Sequence, residues 1–263
     1  MVLRQKHHAH LLTVSLSILS LPFVTGFVLL GNTKATLPAT PGAPEVEFLY
    51  DPNTDVPSLS NKEEIADGAY RNLSDAQLVP ILIQIAMDQW NSVRGSYLRL
   101  TLATSNGPIS RSREDRINVI AVESSDNLSS AAFATPEITS DDPTTISDCD
   151  ISMSKRNVSA LSFLTTLTHE LGHCVGLGHP HSNYGAIMSY SRSGDSFRLG
   201  VDDKAGAIYL YPDEAYVDSS PKELISCGSI GASQTSRSQT GVLFLLAPFF
   251  FCLAHRVRRH RSN

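Results

Sequence analysis

Positive charge is in short supply in this chain: 21 Lys and Arg stand against 26 Asp and Glu, giving a net charge of -5 and a pI near 6.0. That balance removes the electrostatic case for nucleic acid, which calls for a basic face. Cysteine is scarce too, with four in 263 residues and none before Cys149. No internal repeat is present. Charged residues make up only 18% and hydrophobic residues 41%, an ordinary globular balance without the signature of wholesale disorder. The length suits one domain with a sizeable core plus terminal extras.

The two ends read as targeting segments. Arg4, Lys6 and three histidines precede an apolar and hydroxyl-rich run from Leu11 to Leu30, the order of a charged n-region and an h-region. Thr33-Lys34-Ala35 offers a small-residue cleavage site, so residues 1–35 are expected to be a signal peptide or, left uncut, a signal anchor. Both alternatives export the domain that follows. At the other end, Val242 to Ala254 is apolar and is followed at once by Arg256, Arg258, Arg259 and Arg261. Thirteen helical residues rise about 20 Å against a hydrocarbon core of about 30 Å, short for a stable span. Residues 241–263 resemble bacterial C-terminal sorting signals, which implies membrane association through the termini, an envelope protease acting on the tail, and location in a bacterial cell envelope or release from it.

Between the ends, residues 36–44 are rich in Pro, Thr and Ala and read as an extended linker, and 216–240 as a Ser-rich tether. The interval 45–215 is the expected domain. Val46–Tyr50, Leu98–Leu102, Ile117–Val122 and Asp148–Met153 are strand candidates. Asn127–Pro136 reads as loop or edge strand. Ser74 with Gln77 suggests a capping box, and Pro80 sets the firm start of a helix from Ile81. A second long helix opens at Asn157–Ser159 and runs to Val175, and Asp202–Leu210 is a last short one. Cys149 and Cys174 both fall inside the globular interval and are the expected disulfide pair. Cys252 lies in the hydrophobic tail, and Cys227 is a processing or lipidation point or a linker thiol. Asp141, Asp142, Asp148 and Asp150 either bind calcium or form a solvated acidic loop.

The chemistry sits in His169-Glu-Leu-Gly-His-Cys-Val-Gly-Leu-Gly-His179. His169 and His173 are four apart, so both imidazoles leave one helix face and can meet one zinc ion. Glu170 lies beside the first ligand and is placed as general base toward water at an open fourth position. Gly176 falls where a helix can end at positive φ, turning the chain back so that His179 supplies a third ligand.

The run resembles the metzincin pattern HExxHxxGxxH with its Met-turn, here Ala186-Ile187-Met188-Ser189-Tyr190. Trp90-Asn91-Ser92-Val93, Ile117–Val122 and Leu199-Gly200-Val201-Asp202-Asp203 through Leu210-Tyr211-Pro212 resemble matrixin catalytic domains. The resemblance implies an α+β fold: a twisted mixed β-sheet with two long helices, a zinc cleft and a short C-terminal helix. It implies a metalloendopeptidase acting on a protein or peptide substrate, with Met188 as an apolar floor beneath the metal. His179-Pro180 and the Tyr two residues after Met resemble astacins and serralysins, in which that Tyr serves the metal or the oxyanion; Tyr190 takes that role, or packs as a wall of the cleft. The absence of any cysteine before Cys149 removes the thiol switch by which matrixins are held latent. The alternative reading of the same fold is a catalytically silent zinc-binding surface or adhesion module.

Overall fold

The computed structural model describes residues 26–219, apart from 53–54, 106–108, 110–111, 113–114, 124–129, 182–183 and 191–195. The expected hydrophobic tail, its basic end, Cys227, Cys252 and the first part of the leader lie outside the described residues. Among those described, no helix is long and apolar enough to cross a membrane.

Among the described residues, nine strands and four α-helices follow one another. They are β1 (Val28–Leu29), β2 (Glu45–Tyr50), β3 (Leu59–Ser60), α1 (Asp75–Asn91), β4 (Arg99–Thr104), β5 (Asn118–Glu123), β6 (Ala132–Ile138), β7 (Ile146–Ser154), β8 (Val158–Ser159), α2 (Ala160–Val175), β9 (Leu177–Gly178), α3 (Val201–Leu210) and α4 (Glu214–Ser219). The main sheet has the order β4-β2-β5-β7-β6. Its first four strands are parallel and β6 runs antiparallel to β7 at the edge. β1 pairs with β9 and β3 with β8 as separate two-stranded ribbons. The architecture is α+β with a mixed sheet, as the resemblance implied.

Burial explains the pattern of each element. β2 alternates exposed Glu45 and Glu47 with buried Val46, Phe48 and Tyr50, the period of a half-buried strand. β5 and β7 lie inside the sheet and are nearly continuous in buried residues. In α1, Ser74 and Gln77 form the expected capping box: Gln77 N donates to Ser74 Oγ, and Ser74 N donates to Gln77 Oε1 at 3.0 Å. The helix nevertheless begins at Asp75, not at Ile81, and carries Pro80 inside it. Proline forfeits one main-chain bond there. The box and the buried stripe Leu78, Val79, Leu82, Ile83, Ala86, Met87 and Trp90 outweigh that loss. Trp90 Nε1 donates to the Thr168 carbonyl at 3.1 Å and so fixes α1 against α2.

The structure places residues of the expected linker, leader and tether within the fold. Residues 36–44 are extended but do not form a free linker: Leu37 and Ala39 are buried, and Thr36 bridges Thr145. Residues 27–35, expected in the leader, also belong to the fold, because β1 pairs into it and Ala35 is fully buried. Apolar residues of a leader and of a buried strand look alike in composition. Tyr216, the first residue of the expected tether, lies in α4 and its ring stands close to Gly95.

Candidate active site and metal centre

α2 begins with Ser159, whose side chain accepts from Ser162 N. It ends at Gly176, in the left-handed region at φ 106, ψ 16, as the motif required. A side chain there would also strike the Ala35 carbonyl, so glycine is demanded twice. From Gly176 the chain runs straight through β9 to His179.

The three histidines converge. His179 Nε2 lies 2.9 Å from His169 Nε2 and 3.1 Å from His173 Nε2. Their positions are set from behind. His169 Nδ1–H donates to the Ile187 carbonyl at 2.7 Å, and His173 Nδ1–H to the Leu177 carbonyl at 2.8 Å. A ring that donates through Nδ1 turns the lone pair of Nε2 forward. Burial holds His173 below the ordinary imidazole range, only partly opposed by its bond to Leu177, and so favours the neutral ligand form. Nitrogens ~2.0–2.1 Å from one tetrahedral zinc stand about 3.3 Å apart, so the donor set and its spacing fit that ion. Among the described residues this is the one group of three or more His, Cys, Asp or Glu side chains within a single metal's reach. The acidic run does not gather into a second one. Asp142 accepts from Thr144, Asp148 from Arg116 N and Asp150 from Val119 N, each in its own place.

Glu170 follows the first ligand and is 8% exposed, facing a cleft of about 280 Å³ with His169, His179, Thr166 and Tyr190. Its Oε2 accepts a bond from Ala134 N at 2.8 Å. Ala134 lies on β6, and Ser154 N donates to the Ala131 carbonyl on the inner side of the same strand. Antiparallel alternation therefore turns the main-chain groups of Ala132, Ala134 and Pro136 to the open edge. Pro136 offers no N–H there, which suits an edge position.

The floor is built by residues distant in sequence. Met188 is 1% exposed and packs on Gly172, where any side chain would collide with its sulfur and approach Trp90 Cζ2 at 2.9 Å. The Met-turn is held by Asp203, which accepts from Ile187 N at 2.7 Å, Met188 N at 3.2 Å and Gly200 N at 2.7 Å. Ser189 Oγ adds a bond to the Pro180 carbonyl. Tyr190 is 65% exposed and lies over His179 with ring centroids 3.9 Å apart, and the His181 ring centroid is 5.5 Å from that of Tyr190. Cys149 and Cys174 form a disulfide with a Cα–Cα distance of 5.6 Å, tying β7 to α2 one residue past His173.

The structure brings His169, Glu170, His173, His179, Met188 and Tyr190 into one neighbourhood. The sequence alone does not single out Asp203, Ala134 and Tyr211. Tyr211 OH accepts from Leu37 N and donates to the Val175 carbonyl, closing the end of α2. For Asp203 a signal was available: it follows Gly200 by three residues at a helix start, where a carboxylate caps free N–H groups. For Ala134 there is none, since its role lies in its main chain.

Comparison with known families adds the deciding observation. The matrixin peptidase model matches residues 69–212, more than half of the chain. The chain belongs to the matrixin family. As a matrixin it is a zinc metallopeptidase in kind, and the three histidines are the described residues able to hold the metal. The match begins at residue 69, so everything from β1 to β3 lies outside it. No curated protein matched the chain. One solved structure, described as the GM1 bound form of the ECX AB5 holotoxin, covers 71% of this chain and 87% of its own at 13% identity and a TM-score of 0.42, a likeness too slight to bear on fold or activity.

Proposed function

We propose that this matrixin is an exported zinc endopeptidase that hydrolyses internal bonds of extracellular or envelope proteins with Glu170 as general base. The observation that carries the reading is a buried carboxylate beside a convergent His triad, on the floor of a cleft bordered by an open strand edge. His169, His173 and His179 would hold the zinc. When bound, zinc supplies Lewis acidity, polarising a scissile carbonyl and making water acidic near neutral pH.

The remaining work falls to the chain's own groups. An extended substrate pairs with the outward main chain of β6, at Ala132 and at the Ala134 carbonyl, by strand addition. This lays its carbonyl across the cleft. Glu170, anchored through Oε2 to Ala134 N, accepts the proton of the attacking water and delivers it to the leaving amine. Water is thereby added across the C–N bond, giving a carboxylate and an amine. Tyr190, exposed and lying over His179, donates its phenolic hydrogen to the developing oxyanion.

A silent binding module of the same fold would keep the three histidines without needing a poised Glu170. Incubation of an unfolded protein substrate with the zinc-loaded chain separates the two. The endopeptidase reading expects internal cleavage products that vanish with chelator; a chain holding one zinc and producing none is the silent module.

A further inference from the structure

The metal-binding turn is strapped down by residues that precede the matrixin match. β1 pairs antiparallel with β9 through Val28↔Gly178 and Leu29↔Leu177, and β9 lies between ligands His173 and His179. Leu30 N donates to the Gly176 carbonyl at 2.9 Å. The Ala35 carbonyl packs on Gly176, and the Leu29 carbonyl stands 2.9 Å from where a Cβ of Gly178 would be. Further on, Ala35 and Leu37 are buried, with Leu37 N joined to Val175 through the Tyr211 hydroxyl. Both glycines of the motif's second half are therefore fitted to this strap.

This placement conflicts with cleavage after Thr33-Lys34-Ala35. A cut there would discard β1 and the Leu30 bond and release the turn that carries His179. Upstream, Val24-Thr25-Gly26 offers small side chains at the third and first positions before a bond, directly after an apolar run interrupted by Pro22. Gly26 is exposed, and a side chain built on it would meet nothing within 4 Å. Phe27, one residue on, is already packed against the core.

We propose that a leader peptidase hydrolyses the Gly26–Phe27 bond, so that the exported enzyme begins at Phe27 and keeps the segment to Leu37 as a strap over the zinc-binding turn. Water adds across that peptide bond, leaving a carboxylate on Gly26 and a free amine on Phe27. The proposal rests on export as read above and is independent of whether Glu170 is a catalyst, because its readouts need no turnover.

The test is to express the full chain with its own N-terminus in an exporting bacterial host and read the terminus of the product by mass spectrometry. Phe27 is expected, and Gly26→Leu, which the fold has room for, should leave the chain uncut. Any other terminus, Thr36 included, or an uncut wild-type chain overturns the processing site. The strap is tested by Leu30→Pro. Leu29 already sits at φ -84, ψ 148, which accepts a following proline, so the change removes one N–H. Zinc affinity, measured by competition with a chelator, should fall about two- to tenfold, the worth of one hydrogen bond, while Leu30→Val keeps the wild-type value. Unchanged affinity in Leu30→Pro overturns the strap's hold on the turn.

Discussion

Replacing both Cys149 and Cys174 with alanine isolates what the cross-link contributes, because both residues are fully buried and neither touches solvent in the folded state. The bond closes a loop with a sequence separation of 25. Chain entropy for a loop of that size gives about 3.5 kcal/mol of stabilisation, through the states denied to the unfolded chain. The missing sulfur atoms add about 1 kcal/mol for the space they leave. A loss of this size should lower Tm by roughly 10–15 °C for a domain of this length. The assay is urea unfolding of wild type and double variant, both in chelator so that metal binding does not mask the difference. A loss below about 1 kcal/mol would refute the reasoning, and so would alkylation of either wild-type cysteine in urea without reductant.

Other consequences follow from single contacts. Ala134→Pro removes the N–H that holds Glu170, at an edge register where Pro136 already sits; kcat should fall about tenfold or more with KM steady, while Ala134→Ser stays near wild type. A raised KM with unchanged kcat would instead assign that amide to the substrate. Tyr190→Phe should lower kcat about tenfold or more at constant zinc content, and an unchanged kcat would leave Tyr190 as a cleft wall. Asp148 is 1% exposed; burial first, and then the neighbouring Asp115, push its carboxyl up to about 6 against the bond from Arg116 N. The folded state therefore holds a proton between about pH 4 and 6 that the unfolded chain has released, and stability falls as pH rises through that window. Asp148→Asn removes this dependence, so its Tm advantage over wild type should widen from pH 4 to 7; a constant difference contradicts the assignment.

What could be read in the sequence was local. The ligand spacing, the glycine that ends α2 and the Ser74–Gln77 box each depend on neighbours within one or two turns, and the structure places them as expected. The Cys149–Cys174 pairing followed from where the globular interval lay. Pro80 carries a local penalty that the buried stripe of α1 offsets, and that stripe's burial is a property of the folded domain. The strap is hidden in the sequence for a different reason. Nothing in Phe27-Val28-Leu29-Leu30 distinguishes an apolar leader from an apolar strand until β9 is placed beside it. The grip of Asp203 on the Met-turn and of Ala134 on Glu170 joins residues far apart in the chain, and only the folded sheet brings them together.

The central claim is that Glu170 moves the proton in a site whose metal is held by the histidines alone. Glu170→Gln keeps the shape of the side chain and its bond from Ala134 N while removing the basic oxygen. Zinc content and hydrolysis of an unfolded protein substrate, measured side by side on wild type and this variant, decide it. One zinc per chain in both, with turnover reduced about 10²-fold or more in the variant, is the result expected for a general base. A variant that binds zinc and cleaves at the wild-type rate would contradict the account.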